Sequence, residues 1–176
     1  MCSMQTSEQE LIARSISHDA DAYGQLVDRY KVAVYRHCFA IVRDEDAAED
    51  IAQETFIAGY YKLSSFDSSK RLSTWLFKIA TNKALNYLRD SKRVQPLEDA
   101  MIDKVVSTHD MPHQSAEYNE LHDAIVRLEP RYRAVINLYY FEGLDYRDIA
   151  DAMDRPVGSV KGWLNRAKHQ LRKELA

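Results

Sequence analysis

The chain has 176 residues, room for one large domain or two small ones. Only five Gly and four Pro, with 45% hydrophobic residues, point to an all-α protein with real cores. The formal net charge of −3 conceals a segregation, since residues 70–93 hold seven basic side chains against Asp90 alone, whereas 95–120 hold six acids against Lys104. With basic residues again prevailing over 156–176, such patterning excludes a uniformly acidic or basic binder and favours two separate contacts with a polyanion.

Ser7-Glu8-Gln9-Glu10 is a capping-box pattern that opens a short first helix, LIARSI. Asp19 or Asp21 can cap a longer second helix, in which Tyr23, Leu26, Val27, Tyr30, Val34, Cys38, Phe39 and Ile41 recur at helical spacing to about Arg43. Cys2 and Cys38 make no disulfide framework, and Cys38 is expected to pack as a small hydrophobe in the run CFAIV. With no signal peptide and no apolar run near the roughly 18 residues of a membrane span, a reduced, cytoplasmic protein without membrane insertion is expected.

The third helix begins in DEDAAEDIAQETF, whose six acids have no Lys or Arg among them. Ala48, Ile51, Ala52, Thr55, Phe56, Gly59 and Leu63 make its buried side, while Asp50, Gln53, Glu54, Ile57, Tyr60 and Tyr61 fall on the other. Carboxylates repel DNA, so an exposed Ile and Tyr pair among them fits a protein partner with a basic, partly apolar surface. Acids near the helix start also favour the macrodipole.

After the loop KLSSFDSSKRLS comes a basic helix, TWLFKIATNKALNYLR. Leu72, Leu76, Ile79, Ala80, Ala84 and Tyr87 form its apolar stripe, with Lys83 intruding and snorkelling outward. Trp75, Lys78, Asn82, Asn86 and Arg89 follow one another at steps of three and four along another side. Cations for phosphates, amides for base edges and an aromatic plane for an unstacked base suit a nucleic-acid strand; the same row also fits a solvated face with a Trp at its rim.

Residues 95–114 carry two prolines, weak periodicity and an acidic bias, the marks of a linker with one turn around Leu97–Val106. The chain thus divides into a helical domain over 1–94, a flexible acidic linker over 95–114, and a second helical domain over 115–176. His109 and His113 lie four apart beside Pro112 with no third ligand near, so no metal or other cofactor is expected. Ser115 can cap AEYNELHDAIVRL, Pro130 suits the first turn of a helix continuing through RYRAVINLYYF, and Asp145 can cap YRDIADAM. The turn Asp154–Gly158 leads to a last helix, capped by Ser159, with Val160, Leu164, Ala167, Leu171 and Leu175 as its core stripe. Lys161, Gly162, Asn165, Arg166, His169, Arg172 and Lys173 cover much of its opposite half. A short helix, a tight turn and a longer basic helix make a helix-turn-helix pattern, or a helical hairpin with a basic outer face.

These motifs, in this order, resemble the extracytoplasmic-function (ECF) sigma factors of bacterial RNA polymerase. YGQLVDRYK, DAAEDIAQETFI and STWLFKIATNKALNYLR resemble the family's second region, and LEPRYRAVINLYYFEGLDYRDIADAMDRPVGSVKGWLNRAKHQL its fourth. The resemblance implies a promoter-specificity subunit that binds core RNA polymerase and promoter DNA, is commonly held by an anti-sigma factor, and catalyses nothing itself. It puts Asp50, Gln53 and Glu54, with Ile57 beside them, in the polymerase-docking patch. It gives the loop Leu63–Ser73, with Ser64 and Phe66, and the row of Trp75, Lys78, Asn82, Asn86 and Arg89 to the −10 element. It gives Ser159, Lys161, Gly162, Asn165, Arg166 and Lys168 to the −35 element. Gly162-Trp163 departs from the family's usual residues there, and Asp154 replaces a common Gly in a turn whose left-handed backbone Asp tolerates.

Twenty linker residues reach at most about 66 Å, and promoter elements roughly 17 base pairs apart lie about 58 Å along the axis. The linker spans them only when nearly straight. A free-standing helix-turn-helix regulator would leave the acidic helix unexplained, and a helical protein-binding adaptor would leave both basic faces so. An enzyme is disfavoured, since no Gly-rich phosphate loop, metal-ligand spacing or nucleophile elbow occurs, and the adjacent His37 and Cys38 point apart on a helix.

Overall fold

A computed structural model of the chain describes residues 7–94 and 116–175. The whole acidic linker, 95–114, with the turn expected around Leu97–Val106 and the pair His109 and His113, lies outside the described residues. Those residues hold eight α-helices, one 3-10 turn, one π turn and no strand.

The N-terminal module is built from α1 (Glu8–Ile16), α2 (Ala20–Val42), α3 (Glu45–Lys62) and α4 (Leu72–Val94), with the 3-10 turn Leu63–Ser65 before the α3–α4 loop. Side-chain oxygens start the first three. Ser7 Oγ accepts from the Glu10 amide at 3.2 Å, Asp19 Oδ1 from Ala22 at 3.0 Å and Asp44 Oδ1 from Ala47 at 2.8 Å. Asp19 therefore takes the cap for which Asp21 was the other candidate. Arg43, at φ 63°, ends α2 in the left-handed region and turns the chain directly into the α3 cap.

The seven residues expected on the inner side of α3, from Ala48 to Leu63, are all buried. Gly59 is required there: a Cβ would come within 2.8 Å of the Tyr23 hydroxyl, which donates to the Phe56 carbonyl. The stripe on α4 is broader than periodicity indicates. Phe77 and Thr81 are buried as well, while Tyr87 is exposed. The cause is tertiary, because α4 packs against α2, α3 and the C-terminal module at once.

The C-terminal module comprises α5 (Ala116–Val126), α6 (Pro130–Ile136), α7 (Tyr146–Met153) and α8 (Val157–Glu174). The single helix expected through Phe141 stops at Ile136 and widens into a π turn, Asn137–Phe141, where the Glu142 amide donates to the Asn137 carbonyl five residues back. Asp145 Oδ1 caps α7 by accepting from Arg147 and Asp148 at 2.7 and 2.8 Å. Asp154 closes it at φ 53°, the left-handed backbone expected where Asp stands in place of the common Gly. Pro156 ends the turn, so α8 starts at Val157 and Ser159 lies inside its first turn rather than capping it. Val160, Leu164 and Ala167 are buried, but the stripe runs out, with Leu171 half-buried and Leu175 exposed.

The two modules pack together, α7 against α4 and α6 against α2, and one apolar cluster runs through both. Three exposed ion pairs line the edge of this seam: Lys70–Asp151 at 2.9 Å, Arg71–Asp148 at 3.2 Å and Lys78–Asp154 at 2.7 Å. Inside it, the Arg133 guanidinium donates to the carbonyls of Ala40 and Ile41 near the end of α2, and to Val126 and Leu128 of its own module.

Candidate nucleic-acid and protein interfaces

The acidic face follows from the burial of α3. With Ala48, Ile51, Ala52, Thr55 and Phe56 turned inward, Asp50, Gln53, Glu54 and Ile57 all stand exposed, Ile57 at 58%. Gln53 Nε2 donates to Glu49, and Lys83, leaving the apolar stripe as expected, pairs with Glu54 at 2.7 Å. A groove between α3 and α4, lined by Asp44, Asp50, Ile51, Glu54, Lys83 and Tyr87, runs alongside this face. Carboxylates around exposed Ile57 and Tyr61 can receive a basic surface with an apolar centre.

The basic face lies along α4. Asn82, Asn86 and Arg89 are exposed, Trp75 and Lys78 partly so, and Arg89 shares its charge with neighbouring Asp90. Phe66, expected to contact DNA, is buried instead; its ring lies 5.3 Å from that of Trp75 and props the indole from below. Ser64 is exposed on the 3-10 turn. Lys70 and Arg71, counted in the basic run but given no role by spacing, lie in the loop leading into α4 and join Lys78 in pairing with α7.

The third face is the outer side of α8. Lys161, Asn165 and Arg166 are exposed, with Ser159, Gly162 and Lys168 partly covered. Open space surrounds the missing side chain of Gly162, so backbone there can approach a groove closely. Trp163 is half-buried under the Arg131 guanidinium, 5.9 Å from the ring centre. Lys168 leans over Tyr139 and Tyr140, 5.6 Å from each ring, which draws it from the line of Lys161, Asn165 and Arg166.

His37 is fully buried at the seam, as expected of a core histidine, and both ring nitrogens are used. Nδ1 lies 2.9 Å from Asn137 Oδ1 and Nε2 2.8 Å from Thr81 Oγ1, so the proton sits on Nδ1 and the Thr81 hydroxyl donates to Nε2. Burial pulls its pKa down to about 4, partly opposed by the Asn137 bond. Arg133 is likewise pulled down by burial, to about 10, and stays charged at neutral pH. The sequence argues only against a Cys–His pair here; helical spacing leaves His37 out of the buried stripe and gives no sign of Asn137, a hundred residues away, or of Arg133. Among the described residues no group of His, Cys, Asp and Glu is arranged to hold a metal, and no helix is long and apolar enough to cross a membrane.

Two basic helical faces, one in a helix-turn-helix, with an acidic face offered to a protein, define a two-module DNA-binding protein that works docked on another. The Sigma-70 region 2 family matches residues 26–94, and the Sigma-70 region 4 family matches residues 118–171. The chain is 34% identical over 169 residues to the ECF RNA polymerase sigma factor SigW of Bacillus subtilis (strain 168), covering 89% of this chain and 90% of that one. The fold matches CnrH in complex with the cytosolic domain of CnrY at a TM-score of 0.70 and 25% identity, over 96% of both chains. It also matches an engineered region 2 of sigmaE in complex with GTAAAA, at a TM-score of 0.50 and 38% identity, over 55% of this chain and all of that one. The protein belongs to the ECF RNA polymerase sigma factors.

Proposed function

We propose that this sigma factor docks on core RNA polymerase through Asp50, Gln53, Glu54 and Ile57 of α3 and directs initiation through its two basic faces. The row from Trp75 to Arg89, with Ser64, takes the opened −10 strand: Trp75 stacks a base, Asn82 and Asn86 meet base edges, and Lys78 and Arg89 meet phosphates. Phe66 acts from beneath, holding the indole. On α8, Lys161, Asn165 and Arg166 enter the −35 duplex, Gly162 lets the backbone come close, and Ser159 and Lys168 flank the contact. The protein performs no catalysis of its own and works in the cytoplasm. An anti-sigma factor is its expected restraint.

The observation that carries this reading is the order of parts: both sigma regions lie along the chain in sequence, and the acids of α3 stand exposed ahead of the two basic faces. Run-off transcription from a promoter library, with core polymerase alone and with this protein added, tests it. Defined start sites that depend on the protein are expected, and an unchanged transcript pattern would overturn the reading.

A further inference from the structure

Two lysines of α8 are held in a different way from those of the α4 segment. Lys70, Lys78 and Lys83 each meet a carboxylate, at 2.9, 2.7 and 2.7 Å, which steadies the ammonium but offsets its charge. Lys161 and Lys168 lie over rings instead. Lys161 Nζ is 5.5 Å from the centre of Tyr146, and Lys168 Nζ is 5.6 Å from both Tyr139 and Tyr140. Among the described residues neither has a carboxylate within ion-pair distance. A ring face attracts a cation through its quadrupole and leaves the charge intact. With three N–H donors, such an ammonium still has hydrogens to turn outward.

The rings form one assembly. Tyr146, at the start of α7, stacks on Tyr139 at 5.4 Å and 22°, and Tyr139 meets Tyr140 edge-on at 4.9 Å. Successive side chains of a regular α-helix point about 100° apart; the wider π turn at Asn137–Phe141 sets two neighbours beside one cation. The stack thus joins two lysines that stand about 10 Å apart along α8, with Asn165 and Arg166 exposed between them in the chain.

We propose that Tyr139, Tyr140 and Tyr146 are positioning residues for the −35 contact, a neutral aromatic platform that holds Lys161 and Lys168 ready for the DNA backbone. This rests on the reading of α8 as the −35 face. A lysine has large rotamer freedom to lose when it settles on a phosphate, and a side chain already held in place loses less. A carboxylate could hold it as firmly, but would have to be displaced before the phosphate could bind. The rings act through the lysines, so they raise affinity without choosing a sequence, and the backbone contacts they favour keep Asn165 and Arg166 in register with the bases.

The test is a double-mutant cycle in holoenzyme, with the protein in excess over core polymerase and a fluorescein-labelled promoter duplex drawn from the run-off library as the probe. Tyr146→Leu removes the ring face under Lys161 and is expected to weaken promoter binding about threefold, as loss of an exposed cation–π contact does. In a Lys161→Ala background the same change is expected to cost nothing further, since no ammonium is left to position. Tyr146→Phe, which keeps the ring face, is expected to restore wild-type affinity. Equal affinity of Tyr146→Leu and wild type overturns the platform. So does an equal loss in both backgrounds, which would make Tyr146 a packing residue or a contact in its own right. Should Tyr146→Leu lose its helical circular dichroism, Tyr140→Leu, at a ring 55% exposed, carries the cycle with Lys168→Ala on the same terms. The reading beneath is reported separately. Lys161→Ala binding as tightly as wild type overturns the assignment of Lys161 to the −35 contact, whereas weakened binding by Lys161→Ala with no change for Tyr146→Leu overturns the platform alone.

Discussion

The outer faces of α3 and α4 belong to neighbouring helices of one module, yet they meet opposite fates in the folded chain. The acids of α3 stay open, with Glu54 paired to a lysine of the next helix and Glu49 accepting only from Gln53 of its own. The row on α4 is partly covered, since Lys78 and the two cations before it are taken by carboxylates of α7. The difference bears on the proposed roles: in the packed chain α3 is open to a protein partner, whereas α7 covers part of the row on α4.

The largest break in this comparison comes from the covered face. Trp75→Ala with Asn82→Ala removes one stacking plane and one amide, and stacking alone contributes about 1–3 kcal/mol per base. Open-complex formation should fall about 10- to 100-fold, read by permanganate footprinting, with polymerase affinity nearly unchanged. Normal melting by this variant would reduce the row on α4 to a solvated surface.

The seam between the faces gives a pH signature. His37 titrates near 4 when buried against an ordinary value of 6.5, so the unfolded chain takes up a proton between those values that the folded chain refuses. Stability is complete above pH 6.5 and is lost progressively as pH falls toward 4. Between pH 7 and pH 5 the loss should be about 2 kcal/mol, measured by urea unfolding. His37→Gln should flatten that dependence.

On the open face, Asp50→Ala with Glu54→Ala should weaken binding to core polymerase about tenfold, a modest value for charges at a docking site. Titration of labelled polymerase reads it, and an unchanged affinity would count against α3 as the docking surface. The smallest effect is on α8. Lys161→Ala should weaken −35 duplex binding across sequences and lower the salt slope by about one; a change of preferred sequence instead would make Lys161 a base reader.

Most helices were legible because each carries its own start, stop and stripe. Asp19, Asp44 and Asp145 cap where short-range chemistry says they can, and all seven inward residues of α3 follow one period. The site was legible to the same degree, since an exposed row is the complement of a buried stripe. What spacing could not supply depends on a third helix. Phe66 is buried because Trp75 lies over it, Tyr87 is exposed because the stripe turns toward Phe77 and Thr81, and the π turn at Asn137 places an amide against His37. Nor does the chain's charge pattern reveal that α7, with acids every third residue, would face the cations of α4. Either partner alone looks like ordinary surface.

The most direct measurement is the distance between the modules, followed by double electron–electron resonance in a Cys2→Ser background with spin labels at Asp28→Cys and Arg155→Cys. Cys38 is buried and stays unlabelled. A single short distance in the free protein, shifting to a long one when core polymerase and promoter DNA are added, is the predicted result. A short distance that persists in a complex able to initiate transcription would contradict the account.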